Sequence, residues 1–220
     1  MNELYASEIY HRPISEVYNC DCLEYMKSLP DKYFDLCIAD PPFGINIQKS
    51  GRLKRYNKSW VDNEIPTKEV FDEMFRVSKN LIIWGGNYFL DYLGSTKCFL
   101  IYDKKQPEGV SFASCEFAWT SFDSSVAKTF YYSPMQMKDR IHSCQKPIAL
   151  YAWILDNYAK ECYKIFDPFL GSGSSRIAAY KKGFDFYACE LDKDYYEAQE
   201  ERFRRECFGE IKLANGLTMK

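Results

Sequence analysis

The chain has 220 residues and a formal net charge of −2, with 46% hydrophobic and 27% charged residues. This composition is typical of a globular protein and excludes a disordered chain, while the charge excludes a protein that coats nucleic acid through bulk positive charge. The length suffices for one sizeable core, so we expect a single domain over residues 1–220. No apolar run is long enough for a membrane span and no leader pattern opens the chain, so we expect a cytoplasmic protein without membrane contact.

The cysteine and histidine spacing gives no support for a metal site. Nine Cys and two His are present, and no two Cys are separated by two residues in a CxxC pair. Neither a disulfide framework nor a tetrahedral zinc cluster has the required spacing. Cys20 and Cys22 form the nearest approach to a metal-binding pair, and reduced, mostly buried thiols are the better interpretation. We therefore expect no bound metal.

Strands and helices alternate along the chain. The first half contains predicted strands over 33–39, 80–84 and 97–102, and a predicted helix over 70–77. The second half contains predicted helices over 148–158, 174–181 and 194–205, and predicted strands over 163–166 and 184–189. This alternation predicts an α/β fold with a mostly parallel, twisted sheet and helices on both faces. In such sheets ligands bind beyond the carboxyl ends of the strands.

Four residues with a distinctive chemistry, Asp40-Pro41-Pro42-Phe43, follow the first predicted strand. The exocyclic amine of a base is a poor nucleophile, because its lone pair is delocalised into the ring, so a methylating enzyme must draw the amine protons into hydrogen bonds. The Asp40 carboxylate and the Pro41 carbonyl can accept these protons, and Phe43 offers a face for an extruded base. The same four residues also fit a simple turn after a strand.

A glycine-rich loop lies between a later predicted strand and helix. It runs Asp167-Pro168-Phe169-Leu170-Gly171-Ser172-Gly173-Ser174-Ser175. Glycines let the backbone approach a ligand closely, and the following helix start offers free N–H groups to an anion such as an amino-acid carboxylate. Glu190 lies 23 residues after Asp167 at the end of the next predicted strand, where an acid can bind both hydroxyls of a ribose. Glu190 could instead be an acidic residue at a helix start.

In their order, these motifs resemble the amino-methylating DNA methyltransferases of the permuted β type, the N-4/N-6 DNA methylases, including small phage-type adenine enzymes. In that family the Asp-Pro-Pro-aromatic motif precedes the cofactor loop, and a His-x-x-Gln-Lys-Pro segment lies just before that loop. The segment 142–147, His-Ser-Cys-Gln-Lys-Pro, occupies this place, and 18–23, Tyr-Asn-Cys-Asp-Cys-Leu, matches the segment ahead of the catalytic strand. The resemblance covers roughly residues 19–205.

The resemblance implies a Rossmann-like methyltransferase fold with circularly permuted motif order and S-adenosyl-L-methionine as the cofactor. The implied catalytic residues are Asp40, Pro41, Pro42 and Phe43. The implied cofactor-binding residues are Asp21, Cys22, Asp40, His142, Lys146, Pro147, Asp167, Phe169, Gly171, Ser172, Gly173, Ser174, Ser175 and Glu190. Asp21 resembles the residue that holds the cofactor adenine, and the 142–147 segment is expected to contact the cofactor through its backbone rather than by acid–base chemistry.

The sequence departs from the family pattern at two places. Phe43 replaces the commoner Tyr, which keeps the stacking face but removes a hydroxyl, and Ser174-Ser175 replaces the usual threonine pair while keeping both hydroxyls. We expect catalysis to survive both changes.

Two long segments without clear elements are the candidates for DNA contact. The first, 44–66, carries five basic residues and no acidic one before position 61, namely Lys49, Arg52, Lys54, Arg55 and Lys58. Such a loop suits contact with DNA phosphates beside a flipped base, although the same composition also fits a solvated loop. The second, 104–140, is rich in aromatic residues and is a candidate target-recognition insertion. We expect at least half of its aromatic side chains to pack in the core.

The favoured activity is therefore site-specific methylation of double-stranded DNA at adenine N6, by a monomer or homodimer. Cytosine N4 methylation and a catalytically inactive DNA-binding partner of the same fold remain alternatives. Methylation at cytosine C5 is disfavoured because none of the nine Cys follows a Pro. RNA or protein-glutamine methyltransferases usually place the cofactor loop first, and a nicotinamide enzyme would leave Asp40-Pro41-Pro42-Phe43 unexplained.

Overall fold

The computed structural model describes residues 12–45, 64–109, 113–124, 126–212 and 218–219. The strands are β1 (Ser15–Tyr18), β2 (Phe34–Ala39), β3 (Ser78–Trp84), β4 (Phe99–Asp103), β5 (Cys115–Thr120), β6 (Lys128–Tyr131), β7 (Lys164–Asp167), β8 (Asp185–Cys189), β9 (Ile211–Lys212) and β10 (Thr218–Met219). The helices are α1 (Cys22–Lys27), α2 (Lys68–Val77), α3 (Leu90–Leu93), α4 (Ile148–Tyr158), α5 (Ser174–Lys181) and α6 (Lys193–Phe208). Within the described ranges, none of these helices has the length and apolarity needed to cross a membrane.

Eight strands form one sheet in the order β1-β8-β7-β2-β3-β5-β4-β6. The five strands from β1 to β3 in this order pair in parallel, β5 is antiparallel to both β3 and β4, and β4 pairs in parallel with β6. The predicted mostly parallel sheet is confirmed. Because β1, β8, β7, β2 and β3 run the same way, the residues that follow them meet at one edge of the sheet.

The sheet is covered by helices on both faces, as predicted. Successive residues of a strand point to opposite faces, so Leu36 and Ile38 of β2 join one buried cluster while Cys37 and Ala39 join the other. Helices α4 and α5 supply residues to the first cluster, and α1 and α2 supply residues to the second. Long central strands that are apolar on both sides are the expected signature of this layered arrangement.

The bounds of two helices match the sequence pattern, and those of a third are wider. Helices α4 and α5 have the predicted bounds of 148–158 and 174–181. Helix α6 begins after Asp192, whose side chain accepts hydrogen bonds from two backbone N–H groups, and ends before Gly209 at φ +68°. It extends beyond the predicted 194–205 at both ends.

The 104–140 segment contributes β5 and β6 to the main sheet. Among its described aromatic residues, Trp119 is buried and Phe122, Phe130 and Tyr132 pack against a core cluster, whereas Phe117 and Tyr131 are exposed. Phe112 lies outside the described residues. Four of these six rings therefore contribute to core packing, which agrees with the sequence expectation. A role for the segment in target recognition stays a prediction.

Candidate active site at the carboxyl edge of the sheet

Asp40 directly follows β2 and lies in an ion pair. Its Oδ2 is 2.5 Å from Nζ of Lys146, a buried side chain that is 4% exposed. Its Oδ1 is also buried, and no described residue forms a hydrogen bond with this oxygen. Burial raises the pKa of Asp40, Lys146 opposes the rise and Glu116 adds to it. One carboxylate oxygen is therefore anchored and the other is left as a free acceptor.

Phe43 is held against a tight glycine turn at the end of β3. Its ring stacks on that of Tyr88 with centroids 5.1 Å apart and an interplanar angle of 16°. Gly85 has φ +71°, and a Cβ at this position would lie 2.2 Å from Cε1 of Phe43. A non-glycine residue would be strained there and would also displace the aromatic ring. The Gly85 turn thus sets the position of the predicted base-stacking face.

The glycine-rich loop between β7 and α5 is fixed by its own polar side chains. Asp167 accepts hydrogen bonds from the backbone N–H of Phe169 at 3.0 Å and from Oγ of Ser175 at 2.5 Å. Burial raises the pKa of Asp167 to about 7, although both hydrogen bonds oppose the rise. Gly173 at φ +74° forms the N-cap of α5, and Gly171 has φ +53°. The left-handed backbone at both glycines explains why the sequence has glycine there.

The side chain of Arg202 in α6 donates hydrogen bonds to the same loop. Its Nη1 donates to the backbone carbonyl of Ser172 at 2.7 Å and to Oγ of Ser174 at 2.9 Å. Ser174 Oγ also donates to the backbone carbonyl of Lys146 at 2.7 Å. A hydrogen bond therefore joins the glycine-rich loop directly to Lys146, the ion-pair partner of Asp40.

Glu190 follows β8 and faces the glycine-rich loop. Its Oε2 accepts a hydrogen bond from Gly171 N–H at 2.7 Å and its Oε1 accepts one from Asp192 N–H at 2.9 Å. Asn19 donates to the Glu190 carbonyl at 2.8 Å, which ties the end of β1 to the end of β8. Burial raises the pKa of Glu190, and the backbone hydrogen bonds oppose the rise. Each carboxylate oxygen keeps a second lone pair for a ligand.

His142 and Pro147 flank Lys146 in the predicted cofactor-binding segment. The buried ring of His142 lies 4.5 Å from that of Tyr195, and its Nδ1 accepts a hydrogen bond from Cys144 N–H at 3.1 Å. Burial lowers the pKa of His142 to about 4, helped by the charge of Lys146, so the ring is neutral at physiological pH. Pro147 immediately precedes α4.

Asp21 and Cys22 lie at the start of α1, beyond the end of β1. Asp21 is exposed and caps the helix, since its Oδ1 accepts a hydrogen bond from Leu23 N–H at 2.7 Å. Burial raises the pKa of the Cys22 thiol to about 12. The position of Asp21 at the same sheet edge agrees with the predicted site, and its role toward a ligand stays a prediction.

The predicted phosphate contacts Lys49, Arg52, Lys54, Arg55 and Lys58 lie outside the described residues. The two described ends of this segment come together just after Phe43. A Cβ at Gly44, whose φ is +72°, would lie 3.1 Å from Cγ2 of Ile65. The segment therefore leaves and re-enters the fold beside the catalytic motif.

The sequence analysis did not identify two charged residues, Glu116 and Lys104, that are linked to Asp40 through Lys146. Oε2 of Glu116 lies 3.1 Å from Lys146 Nζ, and its Oε1 lies 2.5 Å from Lys104 Nζ. Burial acts to raise the pKa of Glu116, but Lys146 and Lys104 outweigh it and lower this pKa to about 2. The available signal was a lone acid in the otherwise uncharged strand Cys115–Thr120.

The loop geometry fits S-adenosyl-L-methionine. A Cβ at Gly171 would have only His142 Cδ2 near it, at 4.0 Å among described atoms, so the backbone there is open to a ligand. The N-terminus of α5 presents N–H groups beside it for a carboxylate, and Glu190 supplies acceptors for ribose hydroxyls. These donors and acceptors match the charged and polar groups of the cofactor.

Comparison with known proteins identifies the family of the chain. The family model described as DNA methylase matches residues 83–201. The type II methyltransferase M.HinfI of Haemophilus influenzae is 26% identical over 241 aligned residues, which cover 84% of this chain and 67% of that protein. This match and the family model both extend across the glycine-rich loop.

Solved structures share the fold at lower identity. TTHA0409 of Thermus thermophilus, complexed with S-adenosyl-L-methionine, gives a TM-score of 0.59 at 18% identity, covering 89% of this chain and 96% of that one. The cytosine-N4-specific PvuII DNA methyltransferase gives a TM-score of 0.63 at 14% identity, covering 87% of each chain. The predicted Rossmann-like methyltransferase fold is confirmed. The chain belongs to the N-4/N-6 DNA methylase family, and it is a DNA methyltransferase that uses S-adenosyl-L-methionine.

Proposed function

We propose that this chain methylates adenine N6 at specific sites in double-stranded DNA. The observation that carries the proposal is the asymmetric environment of Asp40, with Oδ2 held by Lys146 and Oδ1 buried without a hydrogen bond from any described residue. A buried acceptor without a donor is costly in the free protein, so its retention favours a donor supplied by the substrate. The exocyclic amine of a flipped base is such a donor.

Asp40 activates this amine by accepting a hydrogen bond at Oδ1. Withdrawing an N–H proton toward a carboxylate returns electron density to the nitrogen, which then attacks the methyl group that S-adenosyl-L-methionine supplies. We assign the second amine proton to the backbone carbonyl of Pro41, as the motif predicts. Phe43, fixed by Gly85 and stacked on Tyr88, offers the flat surface on which the extruded base rests.

The cofactor is bound by the loop from Asp167 to Ser175 and by Glu190. The hydrogen bonds that Arg202 donates to the loop and that Asp167 accepts from it pre-form the loop, which lowers the entropy lost when the cofactor binds. Ser174 Oγ bonds to the Lys146 carbonyl, so cofactor loop and catalytic acid are held in a fixed relative position. Such fixed positioning of two reactants is a large part of the rate enhancement of group-transfer enzymes.

DNA contact is assigned to the basic segment after Phe43, with Lys49, Arg52, Lys54, Arg55 and Lys58 facing phosphates. The 104–140 segment is assigned to target recognition, with Phe117 and Tyr131 as its exposed aromatic side chains. A cytoplasmic location accompanies this proposal, because the DNA substrate of such an enzyme is found there.

The catalytic motif is common to adenine N6 and cytosine N4 enzymes, and the choice of adenine rests on the resemblance to small phage-type adenine enzymes. Expression of the chain in cells that lack DNA methylation, followed by mass spectrometry of the nucleosides, tests the choice. We expect N6-methyladenine, and modified-base sequencing should place it in one short sequence. N4-methylcytosine would instead establish the cytosine alternative.

The matched control is Asp40→Asn, which keeps the shape of the side chain but removes its charge. This variant should bind the cofactor and leave DNA unmodified. Absence of both modified bases with the unaltered chain would support the inactive-partner alternative. The intact set of Asp40, Gly171, Gly173 and Glu190 argues against that outcome, since a purely structural partner has no use for them.

A further inference from the structure

Four side chains of alternating charge form a row of ion pairs, the charge chain, that ends at Asp40. Lys104 Nζ pairs with Glu116 Oε1 at 2.5 Å, Glu116 Oε2 lies 3.1 Å from Lys146 Nζ, and Lys146 Nζ pairs with Asp40 Oδ2 at 2.5 Å. Glu116 lies in β5 and Lys104 directly follows β4. Lys146 lies two residues before α4, and Asp40 directly follows β2. The four charges sum to zero, and Lys146, near the middle, is 4% exposed.

Lys146 therefore serves two carboxylates at once. An ammonium group has three N–H donors. Glu116 Oε2 lies 3.1 Å from Lys146 Nζ but is buried without a hydrogen bond, so Glu116 attracts the ammonium away from Asp40 through its charge rather than as a hydrogen-bond acceptor. Without Glu116, the ammonium would face Asp40 alone and could bind both of its oxygens, which would occupy Oδ1, the Asp40 oxygen to which no described residue donates.

We propose that Glu116 is a positioning residue for methyl transfer, because it shares Lys146 with Asp40 and so keeps Asp40 Oδ1 available to the substrate amine. The inference rests on the proposed function of Asp40. Lys104 has the complementary role, since it holds Glu116 in place and limits how strongly Glu116 competes for Lys146.

The proposal predicts opposite effects on the titration of Asp40 when Glu116 or Lys104 loses its charge. Glu116 raises the pKa of Asp40 and Lys104 lowers it, in addition to the dominant effect of burial and the opposing effect of Lys146. Cys144, Tyr151 and Asp167 lie close enough for the charge of Asp40 to raise their pKa values, and they stay unchanged in both variants. A difference between the variants therefore reports on the charge chain itself.

The test measures kcat for DNA methylation as a function of pH for the unaltered protein, Glu116→Gln and Lys104→Met. Glu116→Gln should lower the plateau kcat by on the order of tenfold or more, because the acceptor becomes occupied. Its acid limb should move to lower pH, whereas that of Lys104→Met should move to higher pH. Affinity for S-adenosyl-L-methionine, measured by calorimetry, should not change. Glu197→Gln, an exposed acid on α6, is the matched control and should behave as the unaltered protein.

Titration of the Asp40 carboxyl carbon by NMR gives a second readout that does not require turnover. We expect its midpoint to fall in Glu116→Gln and to rise in Lys104→Met. An unaltered protein that modifies no DNA would contradict the proposed function. An active protein whose Asp40 titration and kcat are the same in Glu116→Gln would overturn this inference, as would shifts of the same sign in both variants. If Glu116→Gln does not fold, an unmoved midpoint in Lys104→Met overturns it as well.

Discussion

Lys146 and Asp40, 106 residues apart in the sequence, form an ion pair of 2.5 Å at the centre of the site. Lys146 is 4% exposed and Asp40 18%, so little water can replace either partner. Removing one charge of a buried pair leaves the other uncompensated, and this costs more than the pair itself contributes.

Lys146→Met should therefore destabilise the protein by about 3 kcal/mol, because two carboxylates lose their shared cation. Urea unfolding at neutral pH measures the loss. Lys97→Met is the control, since its pair with Asp123 is exposed on both sides and should contribute nothing measurable. Equal stability of the two variants would mean that the Lys146 pair is not a buried structural contact.

Gly85→Ala should abolish methyl transfer while cofactor binding is retained. The added Cβ would lie 2.2 Å from Phe43 Cε1, so the ring of Phe43 would be displaced. Gly209→Ala is the matched control, because Gly209 has the same left-handed backbone, φ +68° and ψ 17°, but no described atom lies within 4 Å of its Cβ position. Both variants should lose roughly 1 kcal/mol from backbone strain. Methylation by Gly85→Ala at the rate of Gly209→Ala would show that Phe43 has no role in substrate positioning.

The sequence predicts the parts of this site that are local in the chain. Asp40 and the Asp167–Ser175 loop were placed at strand ends because apolar runs stop abruptly before them, and parallel strands bring those ends to one edge. The helical spacing of apolar residues predicts α4 and α5 with their observed bounds, because each helix follows a segment whose proline or glycines do not continue a helix.

The parts that escaped prediction depend on contacts distant in sequence. Strand β1 has only four residues with alternating burial, too few for a reliable periodicity. Strand β5 inserts antiparallel between β3 and β4, and only this pairing brings Glu116 to Lys146. Tyr88 likewise stacks on Phe43 because the chain turns at Gly85, where the backbone is left-handed. No local sequence pattern predicts a contact between residues this far apart in the chain.

Glu190→Ala should weaken binding of S-adenosyl-L-methionine by on the order of 1 to 3 kcal/mol, because hydrogen bonds to a charged acceptor are removed. Calorimetry with the purified protein measures the affinity. Asp40→Ala serves as the comparison and should retain most of the cofactor affinity, since its acceptor acts on the target amine. Unchanged affinity in Glu190→Ala would remove Glu190 from the cofactor site.

His142 should make the folded state sensitive to mild acid. Its pKa is lowered to about 4 by burial from an ordinary value of 6.5, so the unfolded chain binds a proton more readily than the folded protein. Stability is full above the unfolded value and falls as pH decreases through the window between 6.5 and 4. Between about pH 7.5 and about pH 4.5 the group should contribute a loss of about 2 kcal/mol.

The His142→Asn variant isolates this contribution, because the amide can still accept a hydrogen bond from Cys144 N–H but does not titrate. Denaturant unfolding of both proteins at the two pH values should give a smaller acid-induced loss for the variant. An identical loss in both proteins would show that His142 is already protonated, or solvated, in the folded state.

The basic segment after Phe43 distinguishes binding of DNA from binding of a small substrate by the same fold. Its ends meet at Gly44 and Ile65 beside the catalytic motif, so the described residues on either side of it lie next to Phe43. If Lys54 and Arg55 face phosphates, the double variant Lys54→Ala/Arg55→Ala should weaken binding to all DNA sequences. The dependence of log K on log salt should flatten by roughly 0.9 for each phosphate that is no longer neutralised. Sequence preference and cofactor affinity should persist, because neither depends on phosphate contacts.

The matched control for this last prediction replaces two exposed lysines at the opposite edge of the sheet. Lys97 precedes β4 and Lys160 precedes β7, at the amino ends of strands that run parallel to β2 through the intervening pairs. Lys97→Ala/Lys160→Ala makes the same change in net charge, so it corrects for long-range electrostatic attraction. Its salt dependence should equal that of the unaltered protein. If both double variants flatten the slope equally, the basic segment acts only through net charge, and DNA docking must then rest on the 104–140 segment.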